Sequence, residues 1–167
     1  MGGKNKLPMS DLVAVFEAAG CRDVTTYIQS GNVIFRATDR VAQRLPDLIS
    51  KGIRERFKLN VPVVIRSAGE LALITSNNPF LTVGADPKTL HVLFLAGTPV
   101  AEDAAALNPS RSPGDAFVVR GREIFLHLPN GVARTKLTND YFDRALHAVT
   151  TGRNWQTVLK LCELTKE

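Results

Sequence analysis

The chain has 167 residues, 44% hydrophobic and 22% charged, enough to bury the core of one ordinary domain or two small ones. No apolar run approaches the roughly eighteen residues of a spanning helix, and Pro8, Ser10 and Asp11 interrupt any signal-peptide pattern behind Lys4 and Lys6, so a soluble cytoplasmic protein is expected and no membrane partner. The net charge of +5 is uneven: residues 1–66 hold 11 Lys and Arg against 6 Asp and Glu, whereas residues 67–167 hold 10 of each.

A basic half favours anionic partners such as nucleotides or nucleic-acid backbones, although a surplus of this size is also what solubility alone asks for. The two cysteines, Cys21 and Cys162, read as small buried hydrophobes in a reducing compartment rather than as a disulfide. His91, His127 and His147 are scattered without metal-ligand spacing, so neither a metal nor a cofactor is expected.

In chain order, residues 8–19 place Met9, Leu12, Val13, Phe16 and Ala19 at helical spacing, with Pro8 suited to the first turn and Gly20 to the stop. Two β-rich runs follow, 24–29 and 32–36, separated by Ser30-Gly31 as in a hairpin. A second helix starts near Thr38 and shows Val41, Leu45, Leu48, Ile49, Ile53 and Phe57 on one side, with Pro46 expected to kink or divide it. The continuous apolar run 61–66 predicts a strand. A connecting helix over 67–75 then leads to a loop, 77–87, and a strand over 91–95. An Ala-rich helix covers 100–107, and a second hairpin pairs 116–120 with 123–128 across Gly121-Arg122. Helix 137–149, a short extended piece near 150–152 and a last helix, 155–164, complete the chain. Trp155 begins an i, i+3, i+4, i+7 series with Val158, Leu159 and Cys162, which makes it a core residue before it is a base-stacking one.

The two halves match if one strand stands ahead of residue 1. The expected architecture is therefore α+β: two tandem ferredoxin-like β-α-β-β-α-β units with extra connecting and C-terminal helices, divided as residues 1–76 and 77–167. In that arrangement the first strand lies mid-sheet, and leaving its neighbours unpaired costs about 1–3 kcal/mol per buried backbone group. The expectation follows that the first strand of the N-terminal unit lies upstream of Met1.

Four polar segments stand apart from the packing pattern: Gly2-Gly3-Lys4-Asn5-Lys6, Gln29-Ser30-Gly31-Asn32, Asn130-Gly131-Val132-Ala133-Arg134-Thr135-Lys136 and Thr151-Gly152-Arg153-Asn154-Trp155. With Tyr27-Ile28 and Thr157-Val158-Leu159-Lys160-Leu161, they make the chain resemble, in order and over essentially its whole length, the family known as domain of unknown function 1697. The resemblance implies a two-part α+β fold and no assigned activity. It also implies a strand with Arg-Gly-Ile-Asn-Val ahead of the Gly-Gly-Lys-Asn-Lys loop, where this chain opens.

Three of these segments end where a helix is expected to begin: Lys4 and Lys6 before Pro8, Arg134 and Lys136 before Leu137, and Arg153 before Trp155. Cations at a helix N-terminus are unfavourable by roughly 0.3–1 kcal/mol each, so their repetition suggests a compensating anion held by free N–H groups. Thr135 and Asn154 have the plainer role of N-caps, and lysines or arginines at helix starts are often only solvated. The Gly2-Gly3-Lys4 loop lacks the spacing of a phosphate-binding P-loop. Gln29 and Asn32 flank the first hairpin turn, where an amide can donate to a ligand or simply suit the backbone.

The expected function is binding of nucleic acid or a phosphorylated, nucleotide-like small molecule through Lys4, Asn5, Lys6, Gln29, Asn32, Arg134, Lys136, Arg153 and Asn154. Two alternatives remain: an enzyme acting on a phosphorylated or nucleotide substrate through His127 or a loop lysine, and a protein-interaction module whose loops are purely structural. Tyr27 and Phe35 lie on a strand pair that can stack bases, but the aromatic pattern of RNA-binding domains is missing. No nucleophile elbow or carboxylate pair is present.

Overall fold

Helices and hairpins form where the local spacing asks for them, in a computed structural model that describes residues 8–27 and 31–166. The backbone divides into two units, Met1–Ile65 and Arg66–Glu167, and the fold is α+β.

In the first unit, α1 (Met9–Ala18) buries Leu12, Val15 and Phe16. Strands β1 (Arg22–Tyr27) and β2 (Asn32–Arg36) form an antiparallel two-stranded sheet with Thr25 opposite Ile34 and Tyr27 opposite Asn32. Helix α2 (Asp39–Phe57) is capped by Thr38, whose Oγ1 accepts from the Val41 N–H at 3.3 Å. It runs through Pro46 without dividing. Leu45 lies just before the proline and Ile49 and Ile53 beyond it, all at most 1% exposed, so burial on both sides outweighs the one lost hydrogen bond.

The strand expected over 61–66 does not form: this stretch joins neither sheet among the described residues. Val61, Val63 and Ile65 still pack on the core at every second position, which is strand periodicity.

The second unit opens with α3 (Ala68–Ser76), started by a capping box in which the Glu70 N–H donates to Ser67 Oγ and the Ser67 N–H to Glu70 Oε1. The short α4 (Pro79–Thr82) and strand β3 (Leu90–Leu95) follow. Then come α5 (Ala101–Ala105), hairpin strands β4 (Ala116–Arg120) and β5 (Glu123–His127), α6 (Asn139–Leu146), β6 (Thr150–Asn154) and α7 (Trp155–Leu164). The four strands form one antiparallel sheet in the order β4-β5-β3-β6.

Leu93, Leu95, Ile124 and Leu126 on one sheet face pack against Leu107, Leu137, Phe142 and Leu146. The opposite face carries Val92 and Phe125, equally buried, under α7 and α4. A sheet covered on both faces reads as near-continuous apolar runs, as in Leu90–Leu95. Helix α3 buries Leu71 and Ile74 and packs on α7. The division between units therefore falls at Ile65, ahead of the boundary at 76 expected from the chain order.

Arg66 anchors the start of this unit. Its Nε donates to Glu123 Oε2 at 2.9 Å, and Nη2 donates to the carbonyls of Leu95 at 2.7 Å and Arg122 at 2.8 Å. The guanidinium also lies 5.4 Å from the centre of the Phe94 ring. Arg122 in turn pairs with Glu70 of the capping box. One buried arginine thus holds the end of β3, the β4–β5 turn and the start of α3 in register.

Candidate functional site

The second unit has a concavity of about 360 Å³ at one end of the sheet. His91 of β3, Leu126 of β5, Gly152, Arg153 and Asn154 of β6, and Val132, Thr135, Leu137, Thr138 and Asn139 of the intervening segment line it. The register explains the assembly: His91 pairs with Leu126 on one side and Asn154 on the other, and Leu93 pairs with Gly152. Gly152 is required by this closeness. A Cβ there would meet Leu93 Cδ2 at 2.9 Å and the Asn139 side-chain amide at 3.7 Å.

Both long helices of this wall begin at the cavity. Thr138 caps α6 by accepting from the Tyr141 N–H at 3.2 Å, and Asn154 Oδ1 caps α7 by accepting from the Thr157 N–H at 2.8 Å. With its oxygen committed to the cap, Asn154 has its Nδ2 amide left as a donor. Asn139 Nδ2 donates to Thr150 Oγ1 at 2.8 Å, and Asp143 Oδ1 accepts from the Thr150 N–H and hydroxyl, fastening α6 to β6.

The 130–138 loop is pinned from outside. The Lys136 N–H donates to Ser112 Oγ at 3.0 Å, and its carbonyl accepts from Arg111 Nε at 2.9 Å. Arg111 itself lies 4.1 Å from the centre of the Tyr141 ring. Among the described residues no Asp or Glu lines the cavity. Its ionisable groups are His91 and Arg153, and burial lowers the pKa of both. Arg153 leaves the edge strand of the sheet, and its Nη1 donates to the Gly152 carbonyl at 2.7 Å. Two helix starts, a partly desolvated arginine and no carboxylate among the described residues give this wall a positive electrostatic character.

Of the residues expected to bind an anion, Arg153 and Asn154 line this cavity. Arg134, in a 3-10 turn (Val132–Arg134), and Lys136 bracket the lining residue Thr135, with exposed side chains. Asn32 lies in the first unit, only 5% exposed, and its Nδ2 donates to the Tyr27 carbonyl at 3.3 Å across the hairpin. Lys4, Asn5, Lys6 and Gln29 lie outside the described residues.

Two local expectations are corrected. Helix α6 starts at Asn139, not Leu137, because Leu137 is first drawn into the core at 3% exposure. Its cap is accordingly Thr138, while Thr135 Oγ1 accepts from the Leu137 N–H at 3.0 Å in the turn before it. His127 pairs into the sheet opposite Leu90 and Ala116, with its ring 5.5 Å from that of Phe80. Phe35 packs its ring against Phe16 at 5.4 Å, and Trp155 is 1% exposed, in the core.

Sequence reasoning missed His91, Thr138 and Asn139. The only local signal was Thr138 three residues ahead of Tyr141 at the start of an amphipathic run, which identifies a cap and not a wall. Cys21 and Cys162 are buried free thiols. Among the described residues no group of three or more His, Cys, Asp or Glu is placed to hold a metal, and no helix is long and apolar enough to cross a membrane. The first unit has a smaller concavity of about 290 Å³ between α1 and α2, where Gly52 lies under Val15. Its charged rim includes Lys51 and Glu55, already paired with each other at 3.9 Å.

Among solved structures, the chain is similar to the conserved bacterial protein SP0830 from Streptococcus pneumoniae, with a TM-score of 0.74 and 20% identity over 99% of this chain and 92% of that one. That likeness concerns the fold. None of the curated proteins matches the chain. A family model described as "Protein of unknown function (DUF1697)" matches residues 1–125, three quarters of the sequence, through the first unit and into β5, and the chain belongs to that family.

Proposed function

We propose that this protein binds a phosphate-bearing ligand, nucleotide-like or nucleic acid, in the cavity of its second unit. The observation that carries the reading is that α6 and α7 both begin at one cavity wall that also holds Arg153 and, among the described residues, no carboxylate. Free N–H groups at helix starts and a partly desolvated guanidinium favour an anion more strongly together than either does alone. Arg134 and Lys136, exposed on the adjoining loop, add a positive approach for it.

The test uses a cap exchange. Asn154→Asp keeps an acceptor for the Thr157 N–H and suits the helix dipole, so folding is retained while a carboxylate enters the wall. In native protein, millimolar inorganic phosphate is expected to raise the melting temperature by mass action, and Asn154→Asp is expected to weaken binding at least roughly tenfold. Equal binding by both proteins would remove the cavity from the reading.

We also read both units as ferredoxin-like. Numbering the second unit's strands in chain order, the sheet order is two-three-one-four with every pair antiparallel, which is what a β-α-β-β-α-β unit produces. The first unit has the corresponding helix, hairpin, helix and alternating apolar segment, Val61 to Ile65.

A further inference from the structure

Helix α2 of the first unit turns a charged face away from its core. At about 100° per residue, Arg40, Arg44, Asp47, Lys51, Arg54 and the C-cap Lys58 fall within roughly 80° of arc, opposite Leu45, Ile49 and Ile53. All six are exposed, so five cations and one carboxylate make a single stripe about 27 Å long.

The stripe is not neutralised within the first unit. Lys51 pairs with Glu55 at 3.9 Å, while among the described residues no ion pair forms at Arg40, Arg44, Arg54 or Lys58. Arg40 and Arg44, and again Arg54 and Lys58, stand at i, i+4, where like charges repel. Each end of the helix thus holds a repulsive pair that an outside anion would relieve. A face that serves solubility alone intersperses the two signs, whereas here two cations, one carboxylate and three cations follow in order.

We propose that this stripe docks duplex DNA through its phosphates, with α2 laid across the major groove. Arg44 and Lys51, the cations flanking Asp47, are about 10.5 Å apart along the axis, close to the width of that groove, about 12 Å. The two cationic clusters then meet the phosphates of either rim, and Asp47 faces the gap between them, where no phosphate stands. Other polyanions fit less well. A helix that lies on a membrane inserts an apolar face, and that of α2 is spent in the core, with Leu45, Ile49 and Ile53 at most 1% exposed. Single strands are held by stacking on aromatic rings, and among the described residues no Phe, Tyr or Trp is exposed. The deep major groove of duplex RNA is too narrow for the spacing of the clusters. An acidic protein partner asks for an apolar interface core, which a stripe of charged residues lacks. This surface is independent of the cavity in the second unit.

The experiment titrates the full chain with a duplex DNA of about 20 base pairs, read by fluorescence anisotropy at several salt concentrations. Contact with three to four phosphates is expected to give a log–log salt slope of roughly −3 to −4. Arg44→Gln with Arg54→Gln is expected to weaken binding at about 50 mM salt at least tenfold and to reduce the slope by roughly 2. Both positions are exposed, so the melting temperature is expected to hold. Lys88→Gln with Lys166→Gln removes the same charge from exposed positions of the second unit and is expected to leave affinity within about twofold. Equal losses from the two double variants overturn the stripe, since net charge would then suffice. Equal binding of duplex RNA, or tighter binding of anionic vesicles, polyglutamate or single strands, overturns the assignment to duplex DNA. No binding of the duplex at about 50 mM salt overturns the surface outright.

Discussion

The two units run through a comparable order of helix, hairpin and helix, yet only the second builds a four-stranded sheet among the described residues. In that unit β3 lies between β5 and β6, is buried along nearly its whole length, and satisfies its backbone on both sides. In the first, the sheet among the described residues is the β1–β2 pair, and the alternating segment Val61 to Ile65 packs on the core. Side-chain burial therefore assembles a core in both units, whereas sheet order needs a central strand to which the others can register. The candidate site follows this difference, since its floor is the end of β3 and its two neighbours.

The strongest way to break the contrast is through arginine. Arg66 has a side chain 5% exposed and bonds to Glu123 and two carbonyls, whereas Arg36 in the first unit meets Asp23 at 3.3 Å with both side chains more than half exposed. Arg66→Ala leaves a buried carboxylate and two carbonyls behind and is expected to cost about 3–5 kcal/mol in denaturant unfolding. Arg36→Ala is expected to cost at most about 1 kcal/mol. Similar losses at the two positions would mean that the second unit's register does not depend on the clamp.

A matched pair of glycines sharpens the comparison at smaller scale. A Cβ at Gly152 or at Gly52 would approach a neighbouring side-chain carbon to 2.9 Å, Leu93 in one case and Val15 in the other. Gly152→Ala has a strand on one side and the Asn139 amide on the other, so overpacking is expected to cost about 1–3 kcal/mol and to narrow the cavity. Gly52→Ala lies inside α2 and recovers about 1 kcal/mol of helix propensity, so its net effect is expected to be smaller. Thermal unfolding of the two variants side by side decides it.

The smallest effect belongs to His91. All three histidines lie in the second unit, and burial lowers the His91 pKa. The unfolded chain then takes up its proton at a higher pH than the folded one, so stability is lost as pH falls from the ordinary imidazole range toward the lower folded value. His91→Gln is expected to flatten that part of the stability profile, measured as denaturation midpoints across the weakly acid range. A profile unchanged by the substitution would show that His91 is as well solvated folded as unfolded.

Much of the secondary structure was legible because its signals are local. Leu12 and Phe16 at helical spacing, helix starts near Thr38 and Ser67, and Gly121 between two alternating runs each act over a few residues. The Asn154 cap was legible for the same reason. The start of α6 was misplaced because Leu137 could extend the helix or fill the core, and only packing decides between them. Helix α3 packs on α7 within the second unit, and nothing within Ala68–Ser76 names that partner.

The sequence by itself determined an α+β chain, most of its helices and both hairpins, and the family to which it belongs. The tertiary structure alone decided that His91, Thr138, Asn139 and Asn154 border one cavity, that Arg66 clamps three elements, and that residues 61–65 join no sheet among the described residues. The division has one physical reason. Caps, turns and amphipathic faces are set by neighbours along the chain, whereas a ladder or a cavity wall exists only when segments tens of residues apart are brought within hydrogen-bonding distance.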